Sequence, residues 1–194
     1  MKKIGIVIAV LSVIGLVVGI VFIVDGLKHA SLTYTVGITD DCDIYYNSDN
    51  AFLGKCSYKE DKIELPSEYK GVKIESLGGY YGSGAPVVFH VDTRRVVPKF
   101  VSSTSYEIGP QDPEKEYEEY NLSLNIVLPK YLNTVKLAEA YNDYYLETDN
   151  NNYHVNVYYN FEIDSDNKTF YSENGKLYYK SNHELVEELY KWLL

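Results

Sequence analysis

IELPSEYKGVKIESLG, residues 63–78, is a short apolar strand that stops at Pro66 and resumes as a second apolar stretch, Val72 to Leu77. IVLPKYLNTV, residues 126–135, has the same order of strand, proline and second apolar run. Proline has no N–H to give to a sheet ladder, so Pro66 and Pro129 mark where each strand ends. Val87 to His90 and Asn160 to Asp164 have the character of two more strands of the set. A unit that recurs in this way predicts stacked parallel strands. With Ile63, Leu65, Phe89, Ile126, Leu128, Phe161 and Ile163 inward, alternation turns Glu64, Val88, Val127 and Glu162 outward in one row. That row is the candidate binding site, open to a ligand or covered by an insertion.

Upstream, Leu32, Tyr34, Val36 and Ile38 alternate with Thr33, Thr35 and Gly37, as a strand with one buried face requires. Polar turns at 39–43 and 47–50 separate it from strands at 44–46 and 51–58, which makes a small meander. Cys42 and Cys56 are the only cysteines and both lie in it. They are a disulfide candidate, the alternative being two unpaired, partly buried thiols; two cysteines without nearby histidines are too few for zinc.

Downstream, two insertions break the repetition. Residues 102–120 contain Asp112 before Pro113, the pattern of a capped short helix, and then Glu114, Glu116, Glu118 and Glu119. Residues 141–153 carry a turn-forming run, Asp149 to Asn152. At the end, Leu185, Val186, Leu189, Tyr190 and Leu193 share one helical face, which predicts a helix over 183–194 capping the last repeat.

Ile4 to Val24 is uncharged and long enough to span a bilayer's hydrocarbon core of roughly 30 Å. It predicts a transmembrane signal anchor, since a cleaved signal peptide has a shorter apolar region and a small-x-small site that is missing here. Lys2 and Lys3 would keep the N-terminus cytoplasmic and send the rest outward, a single-pass arrangement in the cell membrane. Gly5, Ala9, Ser12, Gly15 and Gly19 fall on one side of that helix, a packing face through which the chain would self-associate as a homo-oligomer. The expected organisation is a cytoplasmic tip and anchor over 1–26 and an extracytoplasmic domain over 27–194, divided into meander (27–60), irregular repeats (61–182) and capping helix (183–194). A formal net charge of −10 argues against nucleic acid as a partner.

The meander running into IELPSEYKGVKIESLG, together with FEIDSDNKTFYSENGKLYYKSNHEL (161–185), resembles the bacterial BspA-like leucine-rich-repeat family of surface proteins. The first part is similar to that family's opening repeat, and the second to its recurring strand, asparagine-containing loop and hairpin. The resemblance implies a mainly β fold, a short, irregular leucine-rich-repeat-like parallel β-solenoid, and adhesion to a protein or surface polymer. It has departures: the strand ends at Pro66, His90, Pro129 and Asp164 are 24, 39 and 35 residues apart, against about 22 in a regular array.

Catalytic signatures are absent from the sequence. His29, His90, His154 and His183 have no i,i+4 pairing and no HExxH. Asp164 to Lys168 begins like a calcium loop, but Lys168 takes a ligand position. No GxSxG occurs, and the glycines between 78 and 84 lack a phosphate-binding lysine. The expectation is therefore a binding or adhesion module with no catalysis, metal or cofactor. The alternative is a structural or regulatory envelope protein working through helix association, with the exported domain as a spacer. Binding predicts an open sheet face flanked by aromatic rings, a spacer predicts a covered one, and an enzyme predicts polar groups converging in a deep pocket.

Overall fold

The computed structural model describes residues 34–39, 41–58, 60–81, 84–92, 106–139 and 142–189. The first strands are β1 (Thr35–Ile38), β2 (Cys42–Tyr46) and β3 (Ala51–Ser57), joined as an antiparallel meander. Asn47 closes the β2–β3 turn, its Oδ1 accepting the N–H groups of Asp49 and Asn50 at 2.9 and 2.8 Å. Then follow β4 (Lys62–Glu64), β5 (Glu68–Tyr69), β6 (Val72–Leu77), β7 (Gly79–Tyr81), β8 (Ala85–Val87) and β9 (His90–Asp92). The second half supplies β10 (Tyr106–Gly109), β11 (Glu118–Val127), β12 (Thr134–Val135), β13 (Asp143–Thr148) and β14 (Asn152–Glu162). A closing hairpin is made of β15 (Phe170–Glu173) and β16 (Lys176–Tyr179).

The two stretches with the same order take the same path. β4 lies in one sheet, Pro66 ends it, and the chain crosses to β6 in another; β11, Pro129 and β12 repeat the crossing. The copies lie side by side: β4 runs parallel to β11 with Ile63 opposite Ile126, and β6 runs parallel to β12 with Ser76 opposite Thr134. Their crossings are tied as well, Lys130 N–H donating to Ser67 Oγ at 2.8 Å. Lys70 (φ 48°) and Gly71 (φ 79°) make the tight turn from β5 to β6, the left-handed pair that matches strand twist in a two-residue hairpin.

The first sheet has the order β1-β2-β3-β6-β12, with β5 joined to β6 and β9 to β3; the second has the order β10-β13-β14-β11-β4. Their inner faces feed one apolar cluster. Ile44, Leu53, Ile74 and Leu77 enter it from the first sheet, Ile63, Leu124, Ile126 and Leu146 from the second, and Phe170, Leu177 and Val186 from the C-terminal segment. Ser76 and Asn167 are the buried polar residues among those described, and Asn167 is only 3% exposed. Its Nδ2 donates to the carbonyls of Lys130 and Leu132, and its Oδ1 accepts from the N–H groups of Thr169 and Phe170. All four hydrogen-bonding positions of this buried amide are thereby used, which removes the penalty of burying it.

Several sequence expectations are corrected. The parallel β-solenoid does not form: only β4, β11 and β14 run parallel in the second sheet, and the antiparallel strands β13 and β10 complete it. The leucine-rich-repeat architecture falls with it, because the insertions that spoiled the spacing supply strands rather than loops. The capping helix over 183–194 is replaced, within the described residues, by a bridge between Tyr178 and Leu185 and a single 3-10 turn, Glu187–Leu189. Tyr179 N–H donates to Glu184 O and Val186 N–H to Leu177 O, so the backbone is committed to β16 before a helix can start. The helix expected after Asp112 is a turn in which Asp112 Oδ1 accepts Glu114 N–H at 3.0 Å.

The transmembrane helix, the signal anchor and the single-pass membrane localisation are also withdrawn. Among the described residues no helix is long and apolar enough to cross a membrane, and the apolar residues sit in short strands that alternate with polar ones. Ile4 to Val24, with Gly5, Ala9, Ser12, Gly15 and Gly19, lies outside the described residues.

Candidate binding face

β11 and β14 are the long strands of the second sheet and run parallel over their whole shared length, from Glu118 opposite Tyr153 to Val127 opposite Glu162. Alternation sorts their side chains. Leu122, Leu124 and Ile126 of β11 and Val155, Val157 and Phe161 of β14 enter the core. The outward set, paired by register, is Glu119 with His154, Asn121 with Asn156, Ser123 with Tyr158, Asn125 with Asn160, and Val127 with Glu162.

Three of the four residues expected in one row are brought together here. Glu64 stands opposite Val127, which stands opposite Glu162, across three adjacent strands. Glu64 and Glu162 are exposed and Val127 is half-buried. Val88 is not part of the row; it follows β8, and the next residue, Phe89, bridges to Ala138, with β9 joining β3 in the first sheet. Cys42 and Cys56, the other candidate pair, are joined by a disulfide between directly opposed positions of β2 and β3, away from this face.

One end of the face is covered. Residues 110–117 fold against β13: the Tyr117 ring packs edge-on to Tyr145 at 5.0 Å, Tyr117 Oη donates to Glu147 Oε1 at 3.0 Å, and Lys115 pairs with Glu147. Beside it, His154 is held on both sides, Nδ1 at 3.0 Å from Glu119 Oε1 and Nε2 at 3.3 Å from Asp143 Oδ2, under the stacked ring of Tyr145 at 4.6 Å. Burial pulls the pKa of His154 down, but the hydrogen bonds and charges of Glu119 and Asp143 outweigh it, and the net shift is upward. Glu119 is shifted downward by its bonds to His154 and to Asn156, whose Nδ2 donates to Glu119 Oε2 at 2.6 Å. Both imidazole nitrogens face carboxylates, so neither is placed to take a proton from a nucleophile.

The remainder of the face is open, and its centre is uncharged on β11 and β14, with the exposed Lys62 of β4 opposite Asn125. Tyr158 is 57% exposed; its cross-strand neighbour is only a serine. Asn160 Nδ2 donates to Ser123 Oγ at 3.0 Å and to Asn125 Oδ1 at 3.3 Å, which fixes the rung below the tyrosine. Gly175, in the hairpin turn, comes so close to Asn160 that a Cβ there would fall 2.5 Å from its Oδ1.

No family model matches this chain, and no curated protein or solved structure matches it either. What the face can hold follows from its own groups.

A separate cleft of about 580 Å³ opens near the two crossings, lined by Glu75, Lys130, Tyr131, Asn133, Asn167 and Lys168 among others. Its polar groups are mostly engaged with one another. Lys130 is 3.4 Å from Asp164, and Asn133 Nδ2 donates to Glu75 Oε2 at 3.1 Å. Among the described residues no group of His, Cys, Asp and Glu side chains could hold a metal ion.

The sequence pointed to the lower end of this face and missed its middle. Residues 118–127 and 152–162 alternate over most of their length, but their beginnings, 118–120 and 152–153, fall in the two insertions expected from the sequence. Glu119 falls inside the first insertion, and Asn121, Ser123, His154, Asn156 and Tyr158 lie just past the two insertions, where no strand is expected from the sequence.

Proposed function

We propose that this domain is a recognition module that holds a protein or polymer ligand on the outer face of the second sheet and does not transform it. The supporting observation is the open, hydrogen-bond-rich centre of that face around Tyr158, on the longest pair of strands among the described residues. A long register-matched pair is a stiff base, and side chains already tied to one another lose little freedom on binding. An exposed tyrosine flanked by polar groups is the residue type that dominates small recognition surfaces.

The test is retention of purified polysaccharides and extracted surface proteins on the immobilised full chain, with three substitutions. Ser123→Lys and Val127→Lys put a long cation on the face, and Val88→Lys puts one off it. Retention weakened roughly tenfold or more by the first two and unchanged by the third is expected. Retention indifferent to Ser123→Lys, or no retention at all, refutes the proposal.

A further inference from the structure

The composition of the open centre narrows the ligand. We infer that the face takes a neutral polysaccharide chain laid along β11 and β14 with one sugar ring stacked on Tyr158; this rests on the recognition role proposed above.

The first ground is charge. On β11 and β14 the three central rungs, Asn121 with Asn156, Ser123 with Tyr158 and Asn125 with Asn160, contain no ionisable group other than the phenol, while on β4 Lys62 stands opposite Asn125 at the edge of the lowest rung. Carboxylates stand at both ends, Glu119 above and Glu162 and Glu64 below, and the cation beside them, Lys62, is 3.5 Å from Glu64. With a chain charge of −10 behind it, and with Lys62, the cation beside the centre, already next to Glu64, such a surface disfavours a polyanion. Nucleic acids and acidic glycans are disfavoured together.

The second ground is hydrogen-bonding type. Each sugar hydroxyl both donates and accepts, and a matching surface must offer both. Side-chain amides do so, an oxygen acceptor and two N–H donors each, as does a serine hydroxyl. With Asn160 Nδ2 spent on Ser123 and Asn125, the Asn125 amide N–H groups and the Ser123 hydroxyl proton are left to donate. With Asn156 Nδ2 spent on Glu119, Asn156 Oδ1 is left to accept. Asn121 is exposed beside them. The bonds already made hold the amides in place before a ligand arrives.

The third ground is shape. From Asn121 to Asn125 the strand advances about 13 Å, the length of a short oligosaccharide. Tyr158 projects beside the middle of that length, and a tyrosine ring offers the apolar C–H face of a pyranose a surface while its hydroxyl stays wet. The buried core of a protein interface is usually more apolar than this centre. The exposed apolar side chains Val36, Ile38, Tyr80 and Tyr81 belong to the first sheet and the hairpin beside it.

Affinity electrophoresis of the full chain tests this, in gels containing hydroxyethylcellulose, laminarin or soluble starch, with polygalacturonate as the anionic comparison. At least one neutral polymer should retard the protein. Tyr158→Ala should reduce the apparent affinity roughly tenfold or more, Tyr158→Phe should keep most of it, and Asn121→Ala with Asn125→Ala should weaken it severalfold. Tyr80→Ala, at an exposed tyrosine off this face, should change nothing. No retardation by any neutral polymer, equal retardation of Tyr158→Ala, or stronger retardation by polygalacturonate overturns the inference. If neutral polymers fail while a protein is retained in a manner sensitive to Ser123→Lys, the recognition role survives and the polysaccharide does not. If both fail, both are wrong.

Discussion

The two large sheets bury their inner faces alike and treat their outer faces differently. On the first sheet the outward patch over β2 and β3 is aromatic: Tyr45 stacks on Phe52 at 5.0 Å, and Tyr34 and Tyr81 meet the pair edge-on at 5.0 and 5.5 Å. Two glycines make room, since a Cβ at Gly54 would stand 2.8 Å from the Tyr45 ring and one at Gly79 3.1 Å from Phe52. The β7–β8 hairpin contributes Gly79, Tyr81 and Val87 to this side, and Phe52 is left only 4% exposed. On the second sheet the outward residues are amides, a serine and a lone exposed tyrosine, and no described segment crosses their centre. Alternation decides which side chains point out; their chemistry decides whether the chain folds something over them. An apolar outer face gains by being sealed, whereas an amide face is already satisfied by water and is left available.

The largest effect that could break this comparison is Phe52→Ala. It should cost about 3–5 kcal/mol in chemical denaturation, the range for emptying a large buried aromatic site. A loss of about 0.5 kcal/mol or less, as at a surface position, would show that the first sheet's outer face is not sealed. Next comes the disulfide. Replacing Cys42 and Cys56 by serine frees a loop with a sequence separation of 14, for which chain entropy predicts about 3 kcal/mol. Hydrogen exchange should then rise first in the β1–β3 meander and leave β11 and β14 protected; uniform loss of protection would mean that the sheets do not differ in this respect.

A smaller effect belongs to the polar face. His154 has a raised pKa, so its contribution to stability is complete below its ordinary value of 6.5 and is lost as pH rises through the raised one. Glu119 has a lowered pKa, so its contribution is complete above its ordinary value of 4.5 and is lost as pH falls through the lowered one. The difference in Tm between the native chain and His154→Gln should therefore be widest between those two values and shrink on either side. A difference flat across pH 4 to 8 would remove the cluster from the stability account. The smallest effect sharpens the contrast: Tyr158→Ala should change stability by no more than about 0.5 kcal/mol, as its exposure requires, and a loss near that of Phe52→Ala would reveal an undetected covering.

The β character and the meander were legible because period-two patterning and turn residues such as Asn47 act over a few positions. The kinship of IELPSEYKGVKIESLG and IVLPKYLNTV was legible too, and it located Glu64, Val127 and Glu162. Sheet membership was not: Val88 sits in an apolar run much like the others, and only long-range pairing sends it elsewhere. The C-terminal segment misled for a related reason. Leu185, Val186 and Leu189 suit a helix face, but Leu177 and Tyr179 had already claimed their backbone. Propensity yields to tertiary pairing where the two compete.

The in-register β11–β14 pair has a mechanical consequence. Two ten-residue parallel segments pulled lengthwise against each other must break their ladder bonds together, while a pair opened from one end breaks them one at a time. Opposed forces entering through β11 and β14 would load the pair in the first way, and the longest ladder among the described residues, backed by Leu124, Ile126 and Phe161 in the core, would bear them as shear.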